Sequence, residues 1–94
     1  VEDTVVRYGG EEFVVWLPHL DMQETQLIAQ RIHDHVSRVQ VAEKSLTVSI
    51  GVASLKLQGQ EPESFLERML TEADTALYEA KNLGRNRTVC FADL

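Results

Sequence analysis

Apolar and polar positions recur along this chain with two different periods, and the switches between them mark out its elements. Residues from about Thr4 to Tyr8 read as a strand that opens on the run Thr4-Val5-Val6, and Phe13-Val14-Val15-Trp16-Leu17 is apolar at every position. A strand with water on one face alternates, so the second run predicts a strand covered on both faces. Trp16 reads as a packing residue whose indole N–H needs a partner or water. Gly9, Gly10, Glu11 and Glu12 separate the two runs. Together they predict a β-hairpin with a flexible, negatively charged tip. Pro18 has no N–H to donate and ends the ladder.

The period then changes to that of a helix. Asp21 and Glu24 form a capping pattern that opens a helix over about Met22 to Val39. Ile28, Ile32, Val36 and Val39 give it one apolar face, with Leu27 beside it. Arg31, His33, Asp34 and Arg38 fall off that stripe. His33 and His35 lie two apart on the helix and point in different directions, so both read as solvated rather than as a shared metal site. Residues 42–45 read as a polar connection.

Leu46, Val48, Ile50 and Val52 alternate with Thr47, Ser49, Gly51 and Ala53. This predicts a strand with one large-residue face and one small-residue face. The small face suits a closely packed helix better than a ligand. Residues 58–62 form a loop, and Ser64-Phe65-Leu66-Glu67 is a second capping box that opens the last helix. Leu66, Met69, Leu70, Ala73, Leu77 and Ala80 supply its buried face. Gly84 falls where a C-cap belongs, and a short strand over about Thr88 to Phe91 ends the chain. This order of elements predicts one α+β domain with a mainly antiparallel sheet, with no internal repeat or linker.

Composition narrows the class. A chain of 94 residues suffices for one small domain with a thin core. No apolar run approaches the roughly 20 residues of a membrane-spanning helix. The chain carries no signal peptide and does not start with Met, as expected of a piece of something longer. Cys90 is the single cysteine, so no internal disulfide forms, as suits a reducing cytoplasm. A buried, inert thiol is its simplest role. The net charge of −6 argues against nonspecific DNA or RNA binding, which needs a basic face. It leaves room for a nucleotide that brings its own Mg²⁺.

The hairpin tip is the candidate for chemistry. Glycine lets another group approach the main chain closely, and carboxylates are hard oxygen ligands suited to Mg²⁺. Taken alone, the four tip residues read more simply as a solvated turn. The whole stretch Arg7-Tyr8-Gly9-Gly10-Glu11-Glu12-Phe13, however, resembles the signature of the GGDEF family, the bacterial diguanylate cyclases, with Glu as its third signature residue. Two later blocks continue the resemblance: Thr47-Val48-Ser49-Ile50-Gly51-Val52-Ala53, and Ala73 to Lys81 followed by Gly84-Arg85-Asn86-Arg87. It covers nearly the whole chain but only the second part of the family's domain.

The resemblance implies a palm-type, ferredoxin-like two-layer domain that lacks its N-terminal strand and helices over residues 1–94. It implies Mg²⁺- or Mn²⁺-dependent condensation of two GTP into cyclic di-GMP by two facing domains. Glu11 matches a metal-binding carboxylate, and Glu12 an acidic residue at the metal and the reacting hydroxyl. Gly9 and Gly10 match the glycines against which the nucleotide lies. Lys81 and Arg85 match cations that grip the terminal phosphates. As cations at a helix C-terminus, they also need no ligand to be favourable. Asp3 and Arg31 match half of a product-inhibition site, though two ordinary surface charges fit them as well.

The same resemblance implies a cytoplasmic module joined to an upstream sensor domain, in a parent with or without a membrane tether upstream. The family's second metal-binding aspartate and guanine-reading residues have no counterpart in the chain. The fragment alone is therefore expected to make no cyclic di-GMP. The missing central strand would leave two edges open, one beside Phe13–Leu17 and one beside Leu46–Ala53. The alternatives are a silent sensor that binds GTP or cyclic di-GMP without turnover, and a purely structural dimerisation piece.

Overall fold

The computed structural model describes residues 4–9, 12–56, 59 and 61–94. In chain order the elements are β1 (Thr4–Gly9), β2 (Glu12–Trp16), α1 (Met22–Ser37), β3 (Gln40–Val41), β4 (Lys44–Ser45), β5 (Ile50–Val52), α2 (Pro62–Asn82) and β6 (Thr88–Cys90). A single 3-10 turn, Phe91–Asp93, follows. Among the described residues the strands form three separate pairs. β1–β2 and β3–β4 are antiparallel, and β5–β6 is parallel. The fold is α+β as the sequence predicts, with two of its three ladders antiparallel.

The β5–β6 pair is the centre of the molecule, and period two along β5 decides what lies on each side. Val52 joins Ala29 of α1 and Cys90 of β6 in a buried cluster, with Met22 and Ile50 packed against it. Gly51 points the other way. A Cβ built there would meet the Ala73 carbonyl oxygen and the Leu77 amide nitrogen, and would lie 2.8 Å from the Leu77 Cα. Helix α2 therefore rests its backbone directly on the glycine. The two-layer expectation is refined here, because α1 and α2 cover opposite faces of one strand pair.

The small face predicted for this strand serves close helix packing. Ala76 and Ala80 are wholly buried on α2. Ala76 lies outside the apolar stripe read from the sequence, although Ala80 belongs to it. Leu66, placed on that stripe, is instead exposed. The ladder itself is shorter than the alternation suggests, since β6 pairs only with Ile50, Gly51 and Val52. Leu46 donates its N–H to the Val39 carbonyl at 3.1 Å, extending the β3–β4 hairpin instead.

Helix α1 begins as predicted. The Glu24 N–H donates to Asp21 Oδ1 at 2.8 Å, and the Asp21 N–H donates to Glu24 Oε1 at 3.3 Å. The helix ends at Ser37, with Arg38 as its cap. Helix α2 starts earlier than the Ser64 box. Pro62 occupies its first turn, and the N-cap Glu61 makes no side-chain cap bond. A proline there loses no helical hydrogen bond and sets φ in advance. Residues 42–45 also depart from the expected plain connection. Ala42 (φ 52°) and Glu43 (φ 66°) form a tight two-residue turn between β3 and β4, as the twist of a short hairpin demands.

β2 corrects a further expectation. Along Glu12–Trp16 burial alternates, with Glu12, Val14 and Trp16 half-buried. Phe13 is 65% exposed and Val15 40% exposed, the latter opposite a still more open Val5. Among the described residues nothing covers that face. β2 is not paired with β5, so the two edges expected to lie open are not closed onto each other. His33 is a smaller correction: it is half-buried, and its Nε2 is buried without a hydrogen-bond partner. His35 is exposed as expected. Cys90 is buried, and its Sγ accepts from Gln26 Nε2 at 3.0 Å.

Because backbone atoms of α2 fill the space beside Gly51, a methyl group there must push the helix away. Gly51→Ala is expected to lower stability by about 1–3 kcal/mol or more, read as a fall in the urea midpoint. Ser49→Ala, at a neighbouring position of the same face, should move it far less.

Candidate functional site

Two elements bring the candidate residues together: the inner face of β2 and the C-terminal end of α2. The β1–β2 ladder is regular from Thr4–Trp16 to Arg7–Phe13 and then shifts, so that Gly9 pairs with Glu12. The irregularity inserts one extra residue on β1 and increases the local twist. Glu12 shares the half-buried face of Val14 and Trp16, so its carboxylate turns toward the body of the molecule rather than toward solvent on the Phe13 side.

Lys81 arrives from the other direction. Ala73, Leu77 and Lys81 are four apart, so they form one row along α2. The first two of that row seat the helix on Gly51, and the third continues it past the strand. Lys81 Nζ lies 3.9 Å from Glu12 Oε1, with the two side chains 28% and 39% exposed. This is a long, partly open ion pair.

Just past Lys81 the helix stops in a Schellman motif. The Gly84 N–H donates to the Lys81 carbonyl at 3.3 Å, and the Arg85 N–H to the Ala80 carbonyl at 3.0 Å. Gly84 takes φ 122°, as its predicted capping role requires. Arg85 (φ 64°) and Asn86 (φ 50°) continue in the left-handed region. Arg85 is therefore exposed in a tight turn that immediately follows the Lys81 end of the helix.

The remaining candidates divide by position. Gly9 has nothing within 4 Å of where a Cβ would stand, so its main chain is open to approach. Gly10, Glu11 and Asp3 lie outside the described residues. Arg31 sits on exposed α1, beside a shallow depression lined by Leu20, Glu24, Leu27 and Ile28. It is not among the residues gathered at the hairpin. No group of three histidine, cysteine or acidic side chains is placed to hold a metal among the described residues. Glu12 nevertheless suits Mg²⁺ or Mn²⁺ as a donor: it is a hard oxygen ligand, partly exposed, beside an open glycine backbone. No described helix is long and apolar enough to cross a membrane.

These features define a palm-like α+β domain in which an acidic hairpin faces the cationic end of a helix. The chain belongs to the GGDEF family: the family model for the diguanylate cyclase GGDEF domain matches residues 1–87. It is 39% identical over 89 residues to diguanylate cyclase A of Treponema denticola, covering 90% of this chain and 23% of that protein. Diguanylate cyclase VdcA of Vibrio cholerae is 38% identical over 93 residues, covering 92% of this chain and 26% of the relative. The response regulator PleD of Caulobacter vibrioides is 42% identical over 93 residues, covering 93% and 20%. The chain thus spans about a fifth to a quarter of the length of these curated relatives.

A half-exposed ion pair contributes little to stability, so its removal separates local from global effects. Lys81→Met should change the unfolding free energy by less than about 1 kcal/mol. Amide exchange measured by mass spectrometry should nonetheless quicken in the β1–β2 hairpin, where Lys81 supplies a tie to the body.

Proposed function

We propose that this chain is the second part of a GGDEF domain, over residues 1–94, within a longer bacterial signalling protein that condenses two GTP into cyclic di-GMP. The observation that carries this reading is the meeting of Glu12 and Lys81 across 3.9 Å. An acidic group and a basic group sit side by side at an open glycine backbone, with Arg85 in the turn beyond. A nucleoside triphosphate with a divalent cation presents the complementary pair of charges. On binding, Glu12 turns to the cation and Lys81 to a phosphate, so each exchanges one partner for another.

The roles are those that the resemblance to the family's motifs implies, and the chemistry of each group suits them. Glu11 and Glu12 hold Mg²⁺ or Mn²⁺, and Glu12 also lies at the reacting 3′-hydroxyl. Gly9 and Gly10 let the nucleotide lie against the hairpin. Lys81 and Arg85 take the terminal phosphates, which depart as pyrophosphate. The bound divalent ion supplies charge neutralisation and in-line alignment for nucleotidyl transfer. Each 3′-hydroxyl attacks the α-phosphate of the other GTP, so two bonds form and two pyrophosphates leave.

One chain offers one such site, while the product joins two nucleotides symmetrically. A homodimer of facing domains is the arrangement that supplies both. An upstream sensor domain sets when they meet, and the cytoplasm, where GTP is made, is the setting. Asp3 and Arg31 belong in this proposal to a product-binding patch that restrains the enzyme.

The test uses the full-length protein that carries this chain, given GTP and Mg²⁺, with product followed by chromatography. Changing Glu11 and Glu12 together to alanine should lower cyclic di-GMP synthesis by about 10²-fold or more, the scale of losing a group that stabilises developing charge. Undiminished synthesis would remove the site from the hairpin. The 94-residue chain alone should give no product under the same conditions.

A further inference from the structure

The turn that presents Arg85 is held by one side chain to which neither the resemblance nor the charge pairing gives a role. Arg87 Nε donates to the Arg85 carbonyl at 3.0 Å. Its Nη2 lies over Gly84, only 2.9 Å from where a Cβ on that glycine would stand. Its own carbonyl accepts the Ile50 N–H at 2.9 Å, which ties the residue to β5. The guanidinium therefore spans the turn from Gly84 to Arg85, while the main chain behind it is fixed to the central strand.

Gly84, Arg85 and Asn86 all have positive φ. Glycine adopts that region freely, but Arg85 and Asn86 do not, so the turn needs support from outside itself. A guanidinium suits the task because its donors are fixed in one plane: Nε reaches a carbonyl while Nη2 covers the neighbouring residue. A lysine ammonium is a single point and cannot occupy both places.

We infer that Arg87 is a positioning residue for Arg85. It holds the backbone from which the Arg85 guanidinium reaches the terminal phosphates of the bound nucleoside triphosphate, and it does not contact those phosphates itself. This inference rests on the reading of Arg85 as a phosphate-gripping residue.

The experiment is a double-mutant cycle in the full-length protein, with 3′-deoxy-GTP and Mg²⁺ as the probe, since this analogue lacks the attacking hydroxyl. Affinity is measured for Arg85→Ala, Arg87→Ala, Arg87→Lys and the double alanine variant, each below its own unfolding midpoint. Arg85→Ala should weaken binding about tenfold, as expected for losing a charge-assisted contact. Arg87→Ala should weaken it several-fold, and Arg87→Lys equally, because retained charge does not restore the fork. In the Arg85→Ala background, Arg87→Ala should add less than about a twofold further loss, because its effect passes through Arg85.

Three results would overturn the inference. Full additivity in the double variant would make Arg87 an independent ligand. Full affinity in Arg87→Lys would reduce it to a charge. Full affinity in Arg87→Ala beside a weakened Arg85→Ala would show that the turn keeps its shape unaided. Unchanged affinity in Arg85→Ala marks a different failure: the phosphate grip itself would fall, and the inference with it.

Discussion

Helix α2 lies against β5 with its backbone where the side chain of residue 51 would be. Gly51 leaves that space, and the Ala73 carbonyl and Leu77 backbone occupy it. Ala76 and Ala80 are wholly buried along the same helix. This approach fixes the height and rotation of α2 over the strand. Rotation matters most, because the row of residues that begins at Ala73 and Leu77 ends at Lys81. A helix seated one side chain farther out, or turned by a fraction of a turn, would carry Lys81 away from Glu12. The ion pair at the candidate site is thus a consequence of a missing Cβ on β5, under the part of the helix that precedes Lys81.

The hairpin meets that helix through the period of the strand. Alternation puts Glu12 on the face shared with Val14 and Trp16, and leaves Phe13 and Val15 on the other. A slip of one residue would bring Phe13 to Lys81 and turn the carboxylate away. The shift in register between Arg7 and Gly9 sits right before this point. An extra residue there re-aims the tip without disturbing the pairs behind it. Phe13, Val5 and Val15 form an apolar face that stays open among the described residues. This explains why an all-apolar strand shows the burial pattern of a half-covered one: its sequence is written for two covered faces, and one cover is present.

The end of α2 combines a routine stop with an unusual continuation. The Schellman bonds of Gly84 and Arg85 satisfy carbonyls that every helix end leaves free. Two further residues then stay in the left-handed region, at roughly 1 kcal/mol or more each for side chains other than glycine. Backbone held in this way needs contacts that over-determine it. Here they come from Arg87, just after the turn, and from Ile50 on the strand beneath. The same central pair that seats the helix therefore also anchors the loop that follows it.

Much of this was determined by the sequence alone. The Asp21–Glu24 capping box, the Gly84 stop and the alternation around Gly51 are local patterns, and local hydrogen bonds and side-chain periods are enough to read them; the family signature was legible by resemblance. The tertiary structure decided the rest. The burial of Ala76 depends on what packs alongside, which propensity does not carry. The open face of Phe13 and Val15 depends on neighbours beyond the strand. The meeting of Glu12 with Lys81 joins residues far apart in the chain, and so does the tie from Arg87 to Ile50. Their side-chain types announced charge, but only the seating of α2 on a bare glycine brought those charges within reach of each other.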